Sequence, residues 1–68
     1  MYNNLKGEIV RAGLNKMEIS KLIGISYNTF RDKIRDKKDW KINEMIKIQQ
    51  ILSDKTGEDK TIDYLFKK

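Results

Sequence analysis

Residues 16–35 have the sequence KMEISKLIGISYNTFRDKIR, the most informative segment of the chain for its fold. Apolar residues recur at helical spacing in its first half and predict a helix of about two turns. Gly24 ends this helix, because glycine readily adopts the positive φ found at helix ends. Ser26 is a favourable N-cap for the next helix, which extends from Tyr27 to about Asp36. The stretch therefore predicts two short helices joined by a tight turn.

A further helix is predicted before this stretch. Asn3 or Asn4 caps it, and Gly13 ends it. Asn15 and Glu18 then form a capping-box pattern that starts the first helix of the central stretch. The apolar residues at helical spacing are Leu5, Ile9, Val10 and Ala12 in the first helix and Met17, Ile19, Leu22 and Ile23 in the second.

After the central stretch the pattern becomes strongly apolar again. A fourth helix is predicted from about Ile42 to Ser53, and its near-neutral, hydrophobic character is typical of the central helix of a core. Residues 54–60 are polar and predict a loop. Thr61 caps a final turn, and Trp40 is expected to cover the core beside the fourth helix.

The composition of the chain excludes several classes of protein. Its 68 residues are expected to form one domain, whose small core depends on regular helix packing. The absence of cysteine excludes disulfides and thiolate catalysis, and the absence of histidine removes the commonest metal ligand and general base. No apolar stretch approaches a membrane span, which needs about 20 residues. We expect an all-α, compact domain of four to five helices over residues 1–68.

The positive charge of the chain is concentrated in its middle. The formal net charge is +5, and residues 16–41 contain eight basic and four acidic side chains. The basic residues are densest from Arg31 to Lys41. A local basic patch attracts polyanions, of which duplex DNA is the commonest for a small domain. The alternative is a solvated, lysine-rich surface without a binding function, which would account for the charge equally well.

The central stretch resembles the helix-turn-helix of phage Cro/cI-type repressors. Two helices that cross steeply need a turn residue that tolerates positive φ, which Gly24 supplies. They also need a small side chain where the first helix faces the second, and Ser20 stands at that position. The remaining positions of the pattern are filled by Ile19, Ile23, Ile25, Ser26, Phe30 and Ile34.

The resemblance extends over nearly the whole chain. A Gly-Leu-Asn run precedes the motif, and a basic linker and a Trp-x-Ile-Asn-Glu-Met-Ile helix start follow it. The C-terminal Asp-Tyr-Leu-Phe is also similar to small phage regulators of this group. The resemblance implies a lambda-repressor-like DNA-binding domain with its helix-turn-helix at about residues 16–35.

The resemblance further implies that the second helix of the motif enters the major groove of DNA. Arg31 can then donate to O6 and N7 of guanine, and Asn28 can bond N6 and N7 of adenine. Tyr27 can contact a thymine methyl group or a phosphate. The expected base-contacting residues are Ser26, Tyr27, Asn28, Arg31 and Asp32.

The expected phosphate-contacting residues flank this helix and are Lys16, Lys33, Arg35, Lys37, Lys38 and Lys41. Ordinary surface roles remain open for several of the candidate side chains. Arg31 and Arg35 can pair with Asp32 and Asp36 instead of binding DNA, and Tyr27 can pack against Met17.

The C-terminal segment is the expected site of self-association. Ile62, Tyr64, Leu65 and Phe66 form an apolar cluster that either joins a homodimer or folds back on its own core. A dimer is expected from the geometry of such regulators, because one recognition helix covers only half of a binding site. The sequence predicts no cofactor, no metal, no small-molecule ligand and no membrane association.

The favoured function is sequence-specific binding of double-stranded DNA by a transcription regulator in a bacterial or phage-infected cytoplasm. A phage or prophage Cro-like repressor fits the small size. The alternative is a helix-turn-helix domain that binds protein, as an inhibitor, an anti-repressor or an antitoxin. An enzyme is not expected, because the serines have no histidine partner and the acidic residues are scattered.

Overall fold

The computed structural model describes residues 1–68 and contains five α-helices and no strand. Their bounds are α1 Asn3–Arg11, α2 Lys16–Ile23, α3 Tyr27–Ile34, α4 Ile42–Thr56 and α5 Ile62–Leu65. The molecule measures 29 × 22 × 19 Å. The predicted all-α class and the number of helices are confirmed. None of the helices combines the length and the apolar character that crossing a membrane requires.

The ends of α2 and the start of α3 form as the sequence predicts. The Asn15 side chain accepts from the Glu18 N–H at 2.8 Å, and the Glu18 carboxylate accepts from the Asn15 N–H at 3.0 Å. Gly24 ends α2 at φ +81°, and Ser26 Oγ accepts from the Thr29 N–H at 3.1 Å. Three residues therefore join α2 to α3, and both sides of the link are fixed by local hydrogen bonds.

Two helix ends differ from the sequence expectation. The N-cap of α1 is Tyr2, in a left-handed conformation, and no side chain caps the helix. Asn4 instead donates to the Tyr64 carbonyl at 3.0 Å, so it links α1 to α5. α4 continues past Ser53 to Thr56 and ends at Gly57, where φ is +75°. The predicted loop is correspondingly shorter.

The core is built around α4, which packs against α1, α2 and α5. Its buried hydrophobic residues are Tyr2, Leu5, Ile9, Ile19, Ile23, Phe30, Ile34, Trp40, Ile48, Leu52 and Leu65. Val10, Met17 and Leu22 follow the helical spacing of apolar residues, but they are 74%, 51% and 54% exposed instead of buried. A short helix on a small core buries one narrow row of side chains, and residues beside that row face solvent.

The C-terminal segment folds back on its own core. Leu65 is fully buried, and the Phe66 ring lies edge-on to the Trp40 ring with 5.3 Å between centroids. Trp40 is 8% exposed and also packs edge-on against Phe30 and Tyr2. Trp40 therefore covers the core as predicted, and the complete burial of Leu65 removes that residue from any dimer surface.

Two glycine substitutions test how the α2–α3 turn is held. Both sites offer open space to an added Cβ, but only Gly24 has positive φ, whereas Gly7 lies inside α1. We expect Gly24→Ala to lower the unfolding free energy by about 1 kcal/mol and Gly7→Ala to raise it by about 0.5–1 kcal/mol. Urea denaturation followed by circular dichroism measures both. Equal effects of the two substitutions would contradict this account.

Candidate nucleic-acid interface

α3 presents an apolar face to the core and a polar face to solvent. Phe30 and Ile34 are fully buried one turn apart. At about 100° per residue, the polar side chains on the other side of the helix fall within an arc of about 100°. These side chains are Asn28, Arg31, Asp32 and Arg35. The structure therefore brings most of the predicted base-contacting residues onto one face of one helix.

The two residues at the start of α3 have additional contacts. Ser26 caps the helix and also donates its hydroxyl proton to Thr29 Oγ1 at 2.9 Å, so its hydroxyl is engaged within the protein. Tyr27 is 38% exposed and lines a shallow depression together with Lys16 and Met17. Tyr27 therefore lies close to Met17, as one interpretation of the sequence expected, and its ring still reaches solvent.

Arg31 in α3 and Arg35, the C-cap that follows it, have no carboxylate partner. No carboxylate oxygen lies within 4.0 Å of either guanidinium. Asp32 and Asp36 lie instead beside lysines of the following loop and of the C-terminus, at 3.9 and 3.0 Å. The alternative in which the arginines pair with these aspartates is therefore wrong. Nε of Arg31 is also buried without a hydrogen-bond partner, so this cation has an unused donor.

The basic loop after α3 is held by the two ends of the chain. Asp36 adopts a left-handed conformation at φ +63°. Its carboxylate accepts from the Tyr2 hydroxyl at 3.3 Å and pairs with the Lys68 ammonium at 3.0 Å. These contacts fix the point from which Lys37 and Lys38 extend, and both lysines are exposed.

Most of the predicted phosphate-contacting side chains are accessible at the two ends of α3. Lys16 is half-buried near the start of α3, in the depression that it shares with Tyr27. The exposed members of the set are Arg35, Lys37, Lys38 and Lys41, which follow α3 in the chain. Basic side chains therefore stand on both sides of the polar face.

Lys33 does not belong to this accessible set. Its side chain is 7% exposed, and its ammonium donates to both Glu44 carboxylate oxygens at 2.5 and 2.6 Å. The ammonium also lies 5.9 Å from the centroid of the Trp40 ring. The predicted phosphate contact of Lys33 is therefore not supported. Lys33 is three residues from Phe30, which places it beside the buried row of α3. This spacing is the signal in the sequence that could have indicated its burial.

Glu44 is held in its ionised form by this arrangement. Burial of the carboxyl group would raise its pKa, but the hydrogen bond from Lys33 and the bond from the Lys41 backbone N–H outweigh that effect. The charges of the two lysines act in the same direction, so the pKa of Glu44 lies below its usual value. The same carboxylate thus caps α4 and binds α3, because Lys41 is the N-cap of α4.

No family model, curated protein or solved structure gives a significant match to the chain.

The Glu44 carboxylate makes the stability of the fold pH-dependent. Because its pKa is lower in the folded protein than in the unfolded chain, its contribution is present above about pH 4.5 and is lost as the pH falls through the folded pKa. We expect Glu44→Gln to flatten this acid limb of the unfolding free energy. Urea titrations at pH values from about 3 to about 7, which span the titration of a glutamate, measure the pH dependence of the unfolding free energy. Superimposable acid limbs for both proteins would argue against the arrangement.

Proposed function

We propose that this protein is a sequence-specific regulator that binds double-stranded DNA by inserting α3 into the major groove. The observation that carries the proposal is the polar face of α3, on which Arg31 has no carboxylate partner and Asn28 is exposed. These are the side-chain types that read guanine and adenine through paired hydrogen bonds. A free guanidinium can make those bonds without first breaking an ion pair.

The local architecture supports the same reading. α2, the turn at Gly24 and α3 have the order, lengths and caps of a helix-turn-helix, and α2 packs directly against α3. The accessible basic residues at both ends of α3 are positioned to meet the phosphates on either side of a groove. Binding at a promoter would block access of RNA polymerase, which is how a Cro-like repressor is expected to regulate transcription.

A homodimer on DNA is part of the proposal. The C-terminal segment offers Tyr64, which is 39% exposed, and the half-buried Ile62 and Phe66. Two copies related by a twofold axis would place two α3 helices in successive major grooves, about 34 Å apart. The surface available for this contact is smaller than the sequence alone implies, because Leu65 contributes only to its own core.

Arg31 and Asn28 provide the direct test of base recognition. Selection of duplexes from a random library at about 150 mM salt should enrich a palindrome with half-sites one turn apart. Arg31→Ala and Asn28→Ala should each weaken binding to that sequence by about 1–3 kcal/mol. Asn28→Ala should leave binding to unrelated DNA nearly unchanged, whereas Arg31→Ala should also weaken it, because a positive charge is lost. Fluorescence anisotropy with specific and scrambled duplexes measures both.

The matched control for the arginine is Arg31→Lys, which keeps the charge and loses the planar fork. We expect it to lose discrimination as Arg31→Ala does while retaining more of the affinity for scrambled DNA. Enrichment of no sequence by a folded protein would refute the proposed function.

The exposed lysines test the electrostatic part of the proposal. Lys37→Ala should weaken binding to all duplexes alike and reduce the slope of log K against log salt by about 1. Lys55→Ala removes an equal charge from the exposed C-terminal turn of α4, away from the link that follows α3. An identical slope change for Lys55→Ala would show that the lysines act through net charge alone.

A second candidate function is the binding of a protein partner. It is favoured by a groove in which Ile9, Val10 and Leu14 lie between Lys6 and Lys16, because Val10 is 74% exposed. An acidic segment with apolar side chains would match this surface. Val10→Asn, which leaves the net charge unchanged, should weaken such binding and leave DNA binding intact. Capture of a stoichiometric protein partner by the folded protein, together with no measurable DNA affinity, would favour this function over the first.

A further inference from the structure

The seating of α3 on the core depends on very few apolar contacts. Phe30 and Ile34 are its only fully buried side chains, and they form a single row one turn apart. A single apolar row opposes rotation of the helix about that row less than a wide apolar face would. A roll of about 10° displaces side-chain atoms about 6 Å from the helix axis by about 1 Å. Such a displacement is enough to degrade the paired hydrogen bonds that a base requires.

Lys33 contacts the rest of the protein to one side of this row. Around α3 it lies about 60° from Phe30, on the side away from Arg31, which is about 100° from Phe30 in the other direction. Its ammonium is bound to both oxygens of Glu44 at 2.5 and 2.6 Å. A contact beside the row opposes the rolling motion that the row itself permits.

The far end of this contact is itself fixed. Glu44 stands in the first turn of α4, and its carboxylate also accepts from the Lys41 N–H at 2.9 Å. Trp40 lies against the Lys33 ammonium and is packed between Phe30 and Phe66. The Lys33–Glu44 pair therefore joins α3 to a point on α4 that has little freedom to move.

We infer that the Lys33–Glu44 pair fixes the rotation of α3 about its own axis and thereby sets the base specificity of its polar face. Lys33 and Glu44 are positioning residues, since neither side chain is accessible to a ligand on that face. Buried ion pairs contribute little net stability relative to apolar replacements, but their hydrogen bonds demand a defined geometry. This inference rests on the proposed function for its consequence in DNA binding.

The test is the double variant Lys33→Met/Glu44→Gln, which removes both charges without changing the net charge. Met fills most of the space of the lysine, and the Gln oxygen can still accept from the Lys41 N–H. We expect the double variant to remain folded, with a melting temperature close to that of the original protein. The ratio of specific to non-specific DNA affinity should fall about tenfold, the loss expected when one paired base contact is misaligned.

A second readout needs no DNA. Amide hydrogen exchange measured by NMR should accelerate at Arg31–Arg35 in the double variant and stay unchanged in α2, because the lost contact joins α3 to α4 and does not involve α2. The control is Lys60→Met/Glu58→Gln, which applies the same residue types to a more exposed pair at 3.3 Å and also removes the contact of Glu58 with Arg11 at 3.1 Å, away from α3. The control should change neither the affinity ratio nor the exchange of α3.

The two readouts separate the inference from the proposed function. A folded double variant with an unchanged affinity ratio overturns the inference. If the original protein shows no sequence preference, the proposed function fails. In that case the exchange experiment still tests the pair, and unchanged amide exchange of α3 in the double variant would show that the pair does not fix the helix. If the double variant does not fold, Glu44→Gln alone serves as the test, because its amide oxygen can still accept from the Lys33 ammonium or the Lys41 N–H. This variant should show a smaller fall in the affinity ratio and a smaller acceleration of amide exchange in α3.

Discussion

The packing of rings around Trp40 is the interaction on which the rest of the structure depends. Phe30 of α3, Tyr2 at the start of the chain and Phe66 near its end all lie edge-on to this indole, at centroid distances of 5.6, 6.4 and 5.3 Å. One side chain in a loop therefore collects three distant segments. Its indole N–H is buried without a partner, a cost that the surrounding ring contacts offset.

Around this cluster the charges sort into two groups with different roles. Two carboxylates close to α3 are engaged by lysines, as Asp36 is by Lys68 of the C-terminus and Glu44 of α4 is by Lys33. The arginines of α3 consequently keep their charge without a partner. The polar face of α3 thus carries two cations without an anionic partner, beside one carboxylate, Asp32, that lies 3.9 Å from Lys38. Cations without a protein partner are the feature on which the proposed contact with a polyanion rests.

The local elements were predictable because their determinants lie within three or four residues. The Asn15–Glu18 box, the Ser26 and Thr61 caps and the turn at Gly24 formed as the sequence implied. Prediction failed where a residue beside a buried row had to be assigned inside or outside. Hydropathy favours a buried Val10 and an exposed Lys33, but the structure exposes the valine and buries the lysine. Hydropathy takes no account of the residue that each side chain faces on a neighbouring helix.

The all-α class, the ends of α2, the start of α3 and the polar face of α3 follow from the sequence alone, because hydrogen-bonding caps and helical periodicity are local properties. Tertiary packing decided that Lys33 is buried against Glu44, that the C-terminal segment covers its own core, and that Arg31 and Arg35 lack carboxylate partners. Those outcomes depend on which helix faces which, and hydrogen-bonded partners among them are 11 to 60 residues apart in the chain. Such contacts form only after packing has brought the segments together.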